Sequence, residues 1–191
     1  MEIYAVGNQK GGAGKTTTAV NLAACCALAG RRTLLVDLDP QANATTHLGV
    51  ETTADQATVY DLLLDPQLPL AEVTVNTEVP NLMVIPSEVG LSGAEIELGA
   101  EAGRELRLRE ALAQAGDFEL VLIDCPPSLG LLTVNALTAA DRLIVPVECE
   151  FFALAGVAVL TGTVELVRAE LNPQLQIVAI VPTKYNQRKN L

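Results

Sequence analysis

Residues 10–17 read KGGAGKTT, and this stretch decides the fold class of the chain. It follows an apolar segment at residues 3–6 and opens onto residues 18–24, whose composition is typical of the start of a helix. A strand, a glycine-rich turn and a helix in this order form the setting of a phosphate-binding loop. The glycines bring backbone N–H groups close to an anion, and the first helical turn presents unpaired N–H groups to it. The sequence therefore predicts a site for the phosphates of a nucleotide.

This loop departs at one position from the usual G-x-x-x-x-G-K-[ST] pattern. The first glycine of the pattern falls on Gln9, and an extra lysine, Lys10, stands one residue further on. Two lysines on one short loop repel each other unless a concentrated negative charge lies near both. We expect Lys15 to reach the β- and γ-phosphates and the Thr16 hydroxyl to ligate Mg²⁺. The expected nucleotide-binding residues are Lys10, Gly11, Gly12, Ala13, Gly14, Lys15, Thr16 and Thr17.

Two apolar segments end in carboxylates. Residues 32–41 contain an apolar strand with Asp37 and Asp39 at alternate positions, which lie on the same side if the strand persists. Residues 120–123 are apolar and precede Asp124. Four apolar residues and a terminal aspartate are typical of a Walker-B strand, whose carboxylate holds Mg²⁺ through its water shell.

These segments together resemble a known family. The loop, the stretch DLDPQAN at residues 37–43 and the stretch DCPPS at residues 124–128 are similar to those of the deviant-Walker ATPases. Within that group they most resemble the ParA/Soj chromosome and plasmid partition proteins, as does EFFALAG at residues 150–156. The resemblance extends from about residue 2 to the end of the chain and is weakest across residues 50–100.

The resemblance implies roles for individual residues. Lys10 is similar to a signature lysine that crosses a dimer interface to the partner's nucleotide, and a cation supplied in trans contributes about 10³–10⁵ in rate. Asp39 resembles the switch acid that positions the attacking water, and Asp37 its neighbour beside the metal. The implied catalytic residues are Lys10, Lys15 and Asp39, the metal-binding residues are Thr16, Asp37 and Asp124, and the cofactors are ATP and Mg²⁺.

The resemblance also implies partners and a location. The family is expected to form an ATP-bound homodimer on nonspecific nucleoid DNA, in the cytoplasm and off the membrane, with a ParB-like centromere-binding protein stimulating hydrolysis. A net charge of −11 opposes DNA binding overall, but a local basic patch acts within a Debye length of about 8 Å. Residues 184–189, KYNQRK, form a compact basic cluster that is the candidate for such a patch. The alternative interpretation is a solvated basic tail without a DNA contact. The predicted DNA contacts in the cluster are Lys184, Arg188 and Lys189.

Composition and patterning predict one α/β domain over residues 1–191. Half of the residues are hydrophobic and 3% are aromatic, which favours the Ala, Val, Leu and Ile content of parallel strands covered on both faces. Gly30 stands where a helix C-cap glycine belongs. We expect a doubly wound, mainly parallel sheet with helices on both faces, the Rossmann-like three-layer fold of P-loop NTPases. Strands are predicted near 2–7, 33–37, 82–85, 119–123, 143–147 and 176–182, helices near 15–29, 58–64, 104–115, 131–139 and 153–171, and a surface excursion at 51–80.

The end of the chain leaves alternatives open. Proteins of the resembled family continue past the equivalent of Leu191, so the domain is expected to be C-terminally shortened relative to them, with a strand edge exposed. A membrane-positioned ATPase like the MinD proteins shares the two-lysine loop, but it needs a C-terminal amphipathic helix. Besides the partition ATPase and the MinD-like ATPase, a third hypothesis is a truncated, non-catalytic paralogue that pairs with a full-length ATPase.

Overall fold

The computed structural model describes residues 1–53, 55–149 and 153–185. Within them, a seven-stranded sheet has the order β3-β4-β2-β5-β1-β6-β7. All neighbouring strands are parallel except β3, which runs antiparallel to β4. The six predicted strands are present, and the added β3 has two residues, too few for an alternating pattern to show. The strands are β1 (Glu2–Val6), β2 (Thr33–Asp37), β3 (Val75–Asn76), β4 (Leu82–Ile85), β5 (Leu120–Asp124), β6 (Arg142–Glu148) and β7 (Gln176–Thr183).

Eight α-helices connect these strands in the described part of the chain. The five predicted helices are present, although the one predicted at 104–115 is a 3₁₀ turn, Arg104–Leu106, followed by a shorter α-helix. Three short helices were not predicted, because helices of four to seven residues show little apolar periodicity. The helices are α1 (Lys15–Leu28), α2 (Asn43–His47), α3 (Val59–Leu64), α4 (Leu70–Val73), α5 (Leu91–Glu97), α6 (Arg107–Leu112), α7 (Leu131–Ala139) and α8 (Ala153–Glu170).

Helices cover both faces of the sheet, as the sequence predicted. The β2 residues Leu34 and Val36 face a core that includes α3, α5, α6, α7 and α8, whereas Leu35 faces the α1 side. This alternation follows from the two-residue period of a strand. α1 contributes a stripe of fully buried alanines to the core on its side of the sheet, Ala19, Ala23 and Ala27. Their small side chains allow the helix to pack closely on the sheet.

The interpretation of residues 51–80 as a surface excursion was wrong in part. Val59, Leu63 and Val73 in this segment have no exposed surface, and all three belong to the larger hydrophobic core. Their helices, α3 and α4, are short and are separated by polar and proline-containing turns. The average composition of the segment therefore obscured the few positions that are buried.

The strand register brings three loops to one edge of the sheet. Val6 at the end of β1 lies opposite Asp124 at the end of β5, and Asp124 lies opposite Asp37 at the end of β2. Parallel strands that are in register end at the same edge, where open α/β sheets bind ligands. Residues 7–14, which follow β1, therefore lie beside both aspartates.

β7 lies at one end of the sheet and is poorly covered. Ile177, Val178 and Ile180 are 40%, 45% and 59% exposed. Within the described ranges, β6 is the strand paired with β7, and its other side has no strand partner. This arrangement agrees with the expected exposed edge.

Across the described residues, every helix is either too short or too polar to span a membrane.

Candidate functional site

The loop after β1 has the backbone geometry of an anion-binding turn. Gly14 precedes α1 in the left-handed region, with φ 88° and ψ 22°. A β-carbon there would lie 3.3 Å from the Thr183 Cγ2 atom, so both the backbone angle and the space favour glycine. Gly14 O accepts from the Thr18 N–H at 2.9 Å and from the Thr18 hydroxyl at 2.8 Å, which fixes the start of the helix. The N-terminus of α1 therefore points into the loop.

Two residues outside the motif hold the loop in place. Asn8 is buried, donates from Nδ2 to the Pro146 carbonyl at 2.6 Å and accepts the Lys10 N–H at 3.1 Å. Thr183 at the end of β7 donates its hydroxyl to the Ala13 carbonyl at 2.8 Å. Neither contact was predicted, because β6 and β7 lie more than a hundred residues from the loop along the chain.

Lys15 is almost completely buried beneath the loop. Its side chain is 6% exposed, and Nζ donates to the Lys10 carbonyl at 3.4 Å. Burial lowers the pKa of Lys15, and attraction by Asp124 and Asp39 opposes that change. An ammonium group enclosed in this way is well placed to contact phosphate oxygens that enter the loop.

Asp124 is a buried carboxylate at the end of β5. Neither of its oxygens has a hydrogen-bond partner of good geometry among the described residues. Burial raises the pKa of Asp124 to about 7; the nearby Thr16 hydroxyl opposes the rise, and Asp37 and Asp39 add to it. Buried polar atoms normally have partners, so this carboxylate is arranged for a ligand that brings positive charge or hydrogen-bond donors.

Thr16 and Asp124 fit a magnesium ion. Within the described ranges, no three His, Cys, Asp or Glu side chains are close enough to hold a metal by themselves. Mg²⁺ does not need such a cluster, because it keeps several waters and takes one or two protein oxygens together with substrate phosphates. The hydroxyl beside an unpartnered carboxylate suits that chemistry.

Asp37 anchors the segment that carries Asp39. It is completely buried, and its Oδ2 accepts the N–H and the hydroxyl of Thr45 in α2, at 2.8 and 2.7 Å. Burial raises the pKa of Asp37, and the hydrogen bonds from Thr45 oppose the rise. Ser87, after β4, donates its hydroxyl to the Asp39 carbonyl at 2.8 Å and its N–H to the Thr45 hydroxyl at 3.0 Å. A metal role for Asp37 stays a prediction.

Asp39 faces the nucleotide-sized cavity. Its side chain is 7% exposed, and Oδ1 accepts the Gln41 N–H at 3.0 Å. The carboxylate is therefore oriented by its own loop. The cavity has a volume of about 340 Å³ and brings together loop residues and the segment after β2: Gly11, Gly12, Gly14, Lys15, Thr16, Thr17, Asp39, Gln41, Asn43, His47 and Pro127.

Lys10 lies next to an acid that the sequence analysis did not single out. Glu148 ends β6 with 6% of its side chain exposed, and its Oε2 pairs with the Lys10 ammonium. Its Oε1 pairs with the ammonium of Lys184. The hydrogen bonds from Lys10 and Lys184 hold the pKa of Glu148 below its usual range, and burial opposes this effect.

The structure places Lys184, which belongs to the basic cluster in the sequence, beside the loop. A β-carbon on Gly12 would lie 3.6 Å from the Lys184 Nζ atom. The position of Lys184 beside the loop does not test its predicted contact with DNA. Arg188 and Lys189 lie outside the described residues, as do residues 150–152 of the stretch at 150–156.

A larger cavity lies at the other edge of the sheet. Its volume is about 620 Å³, and its lining includes Arg32, Leu82 and Phe118 near the beginnings of β2, β4 and β5. It contains none of the loop residues or aspartates described above. The chemistry is therefore concentrated at the smaller cavity.

Three comparisons with known proteins agree with this site. A family model described as an AAA domain matches residues 1–177. The chain is 51% identical to the chromosome partitioning protein ParA of Caulobacter vibrioides, covering 100% of this chain and 72% of that protein. It is 50% identical to the sporulation initiation inhibitor protein Soj of Bacillus subtilis, covering 100% and 75%. The solved structure of cobyrinic acid a,c-diamide synthase from Mycobacterium smegmatis with bound ADP and magnesium superposes with a TM-score of 0.94 at 43% identity, covering 99% of this chain and 77% of that one.

Proposed function

Because this chain belongs to the ParA/Soj family of partition ATPases, we propose that it is a switch that binds ATP with Mg²⁺, dimerises and then hydrolyses ATP to ADP and phosphate. The observation that carries the proposal is the position of Lys15 between the glycine loop and two acids: Asp124, which has no hydrogen-bond partner among the described residues, and the cavity-facing Asp39. Lys15, Thr16 and Asp39 line the cavity, and Asp124 lies beside the Thr16 hydroxyl, so the groups proposed for phosphate binding, metal binding and water positioning are neighbours.

Phosphoryl transfer depends on charge neutralisation and alignment, and the chain has a residue for each. Lys15 and the N-terminus of α1 bind the phosphates. Thr16 and Asp124 hold Mg²⁺, which when bound neutralises charge on the transferred group. Asp39, oriented by the Gln41 N–H, positions the attacking water. Lys10 of the partner subunit completes the neutralisation, which links hydrolysis to dimerisation.

The proposed dimer acts on DNA. It binds nonspecific duplex on the nucleoid in the cytoplasm, and a ParB-like centromere-binding protein stimulates its hydrolysis. The support is the identity to relatives named chromosome partitioning protein ParA and chromosome-partitioning ATPase Soj, together with the basic cluster that contains Lys184, Arg188 and Lys189. Such binding rests on contacts between cations and phosphates, and its affinity falls steeply with salt.

The test is DNA binding by the Asp39→Ala variant, measured by mobility shift on nonspecific duplex at one fixed salt concentration. Loss of the carboxylate leaves the phosphate ligands intact, so we expect ATP to bind, hydrolysis to be lost and the dimer to persist. A shift with ATP, but not with ADP or without nucleotide, supports the DNA switch.

Lys15→Ala is the matched control, because it removes the buried phosphate ligand and is expected to abolish ATP binding. Undiminished phosphate release by Asp39→Ala would remove that residue from the mechanism. An absence of any shift in protein that binds ATP would overturn the DNA role.

A further inference from the structure

We propose that Glu148 is an internal latch for Lys10, and that Lys184 is the cation that allows the latch to open. The proposal rests on the proposed function, in which Lys10 acts on the partner subunit's nucleotide. The latch holds this lysine within its own subunit until dimerisation draws it away. Glu148 thus acts as a positioning residue that sets how readily the dimer forms.

The exposure of the two side chains determines which one can move. Glu148 is 6% exposed at the end of β6, whereas the Lys10 side chain is 39% exposed on the loop. Lys10 can turn outward on its flexible stem, but the carboxylate cannot follow it to an interface. An ammonium that is paired with Glu148 must therefore leave that carboxylate in order to contact phosphates in trans.

The carboxylate carries a second cation on its other oxygen. Lys10 pairs with Oε2 of Glu148, and Lys184 pairs with Oε1. A buried charge that loses every partner is strongly destabilising, so departure of Lys10 would be costly if Lys184 did not also pair with Glu148. With Lys184 in place, Glu148 stays neutralised after Lys10 has left. The two lysines therefore have different tasks although they share one acid.

The backbone at Lys184 supports a positioned role. Its φ is 52°, in the left-handed region that residues with a β-carbon rarely adopt. The preceding residue, Thr183, is fixed by its hydrogen bond to the Ala13 carbonyl. Strain of this kind persists where surrounding contacts fix it, and it is common at sites of function. The end of β7 is thus held against the phosphate loop, with Lys184 directed at Glu148.

Substitutions at the two residues should have opposite effects. Glu148→Gln keeps the shape of the side chain and removes the charge that competes for Lys10. We expect the protein concentration required for ATP-dependent dimerisation to fall roughly tenfold, since a hydrogen bond to a charged group is worth about that factor. Hydrolysis without a stimulating partner should rise accordingly.

Lys184→Met keeps the length of the side chain and removes a cation from Glu148. The carboxylate then attracts Lys10 more strongly, so we expect dimerisation to require a several-fold higher concentration, on the order of fivefold. Sedimentation velocity with ATP, across a protein dilution series, measures both variants. Phosphate release at matched concentrations provides the second readout.

The directions in which the two variants change dimerisation distinguish a latch from a structural support of the loop. If Glu148 merely braces the loop, both variants weaken dimerisation, and that result overturns the proposal. Wild-type behaviour in both variants overturns it as well. Lys10→Ala tests the proposed function separately: if this variant dimerises and hydrolyses ATP like the unaltered protein, the trans role of Lys10 fails, and the latch fails with it. Circular dichroism of each variant checks that it is folded.

Discussion

At the scale of single residues, the ionised Asp124 carboxylate destabilises the folded state in the absence of a ligand. Its side chain has no exposed surface, its oxygens lack hydrogen-bond partners among the described residues, and its pKa is raised to about 7 by burial. The folded state therefore holds a proton more tightly than the unfolded chain does. Stability from this group is fully present below the ordinary carboxyl pKa and is lost as the pH rises through 7.

Replacing that carboxylate should stabilise the protein while removing the proposed metal ligand. We expect Asp124→Asn to raise the free energy of unfolding by about 1–3 kcal/mol at pH 8, because the penalty for burying the charge disappears. The gain should shrink as the pH falls from 7 towards 4, where the native carboxyl is already neutral. Urea unfolding at pH 8 and pH 5 with a chelator and without nucleotide measures this, and an equal or larger gain at pH 5 would contradict it.

At the scale of elements, α1 ends in a backbone cap, and Asn81 adds a side-chain hydrogen bond from Nδ2 to the Ala27 carbonyl. Gly30 has φ 91°, its N–H donates to the Ala27 carbonyl, and the Arg31 N–H donates to the Cys26 carbonyl. These two bonds form a Schellman motif, which satisfies carbonyls that the helix leaves unpaired. The sequence predicted this C-cap from the glycine, and the structure confirms it.

The C-cap gives a prediction free of packing effects. A β-carbon on Gly30 would have no heavy atom within 4 Å, so Gly30→Ala tests the backbone angle alone. We expect a loss of about 1 kcal/mol in unfolding free energy, since a left-handed residue with a β-carbon costs that much. Gly116→Ala is the matched control, because that glycine also lies in open space and has no such φ. Equal stabilities for the two variants in urea would contradict the assignment.

Hydrogen bonds between elements place the two acids differently, as the separate roles proposed for them require. Thr45 and Ser87 tie α2 and the end of β4 to the segment after β2, so Asp37 is engaged while Asp39 faces the cavity. The alternation of the two aspartates in sequence gave no basis for this difference. It depends on partners that lie about 8 and 48 residues further along the chain.

At the scale of the whole molecule, β7 forms one edge of the sheet, and within the described residues no strand lies on its outer side. β7 exposes apolar side chains along its length, including Val178 at 45%. An edge strand with free N–H and C=O groups and apolar side chains is a template for pairing with other chains. When residues 1–191 aggregate as an isolated domain, we therefore expect the aggregation to begin at β7.

A charge on that edge should reduce the aggregation. We expect Val178→Lys to slow the rise in light scattering on mild heating several-fold, because lysine on an edge strand opposes pairing. Val89→Lys is the control, since Val89 is 77% exposed outside the sheet and the substitution changes the net charge equally. If both variants aggregate at the same rate, the edge is not the nucleus.

The sequence by itself determined the class of fold and the phosphate loop, because both depend on local patterns. Apolar runs specified six strands, three of which are followed directly by glycine or aspartate, and the spacing of Lys10, Lys15 and Thr16 specified the loop. Only the tertiary structure decided what surrounds that loop. Glu148, Lys184 and Asn8 meet there because β6 and β7 pair beside β1, and contacts over such separations leave no periodic signal in the chain. The loop chemistry is therefore local in origin, whereas the proposed control of Lys10 depends on the topology of the sheet.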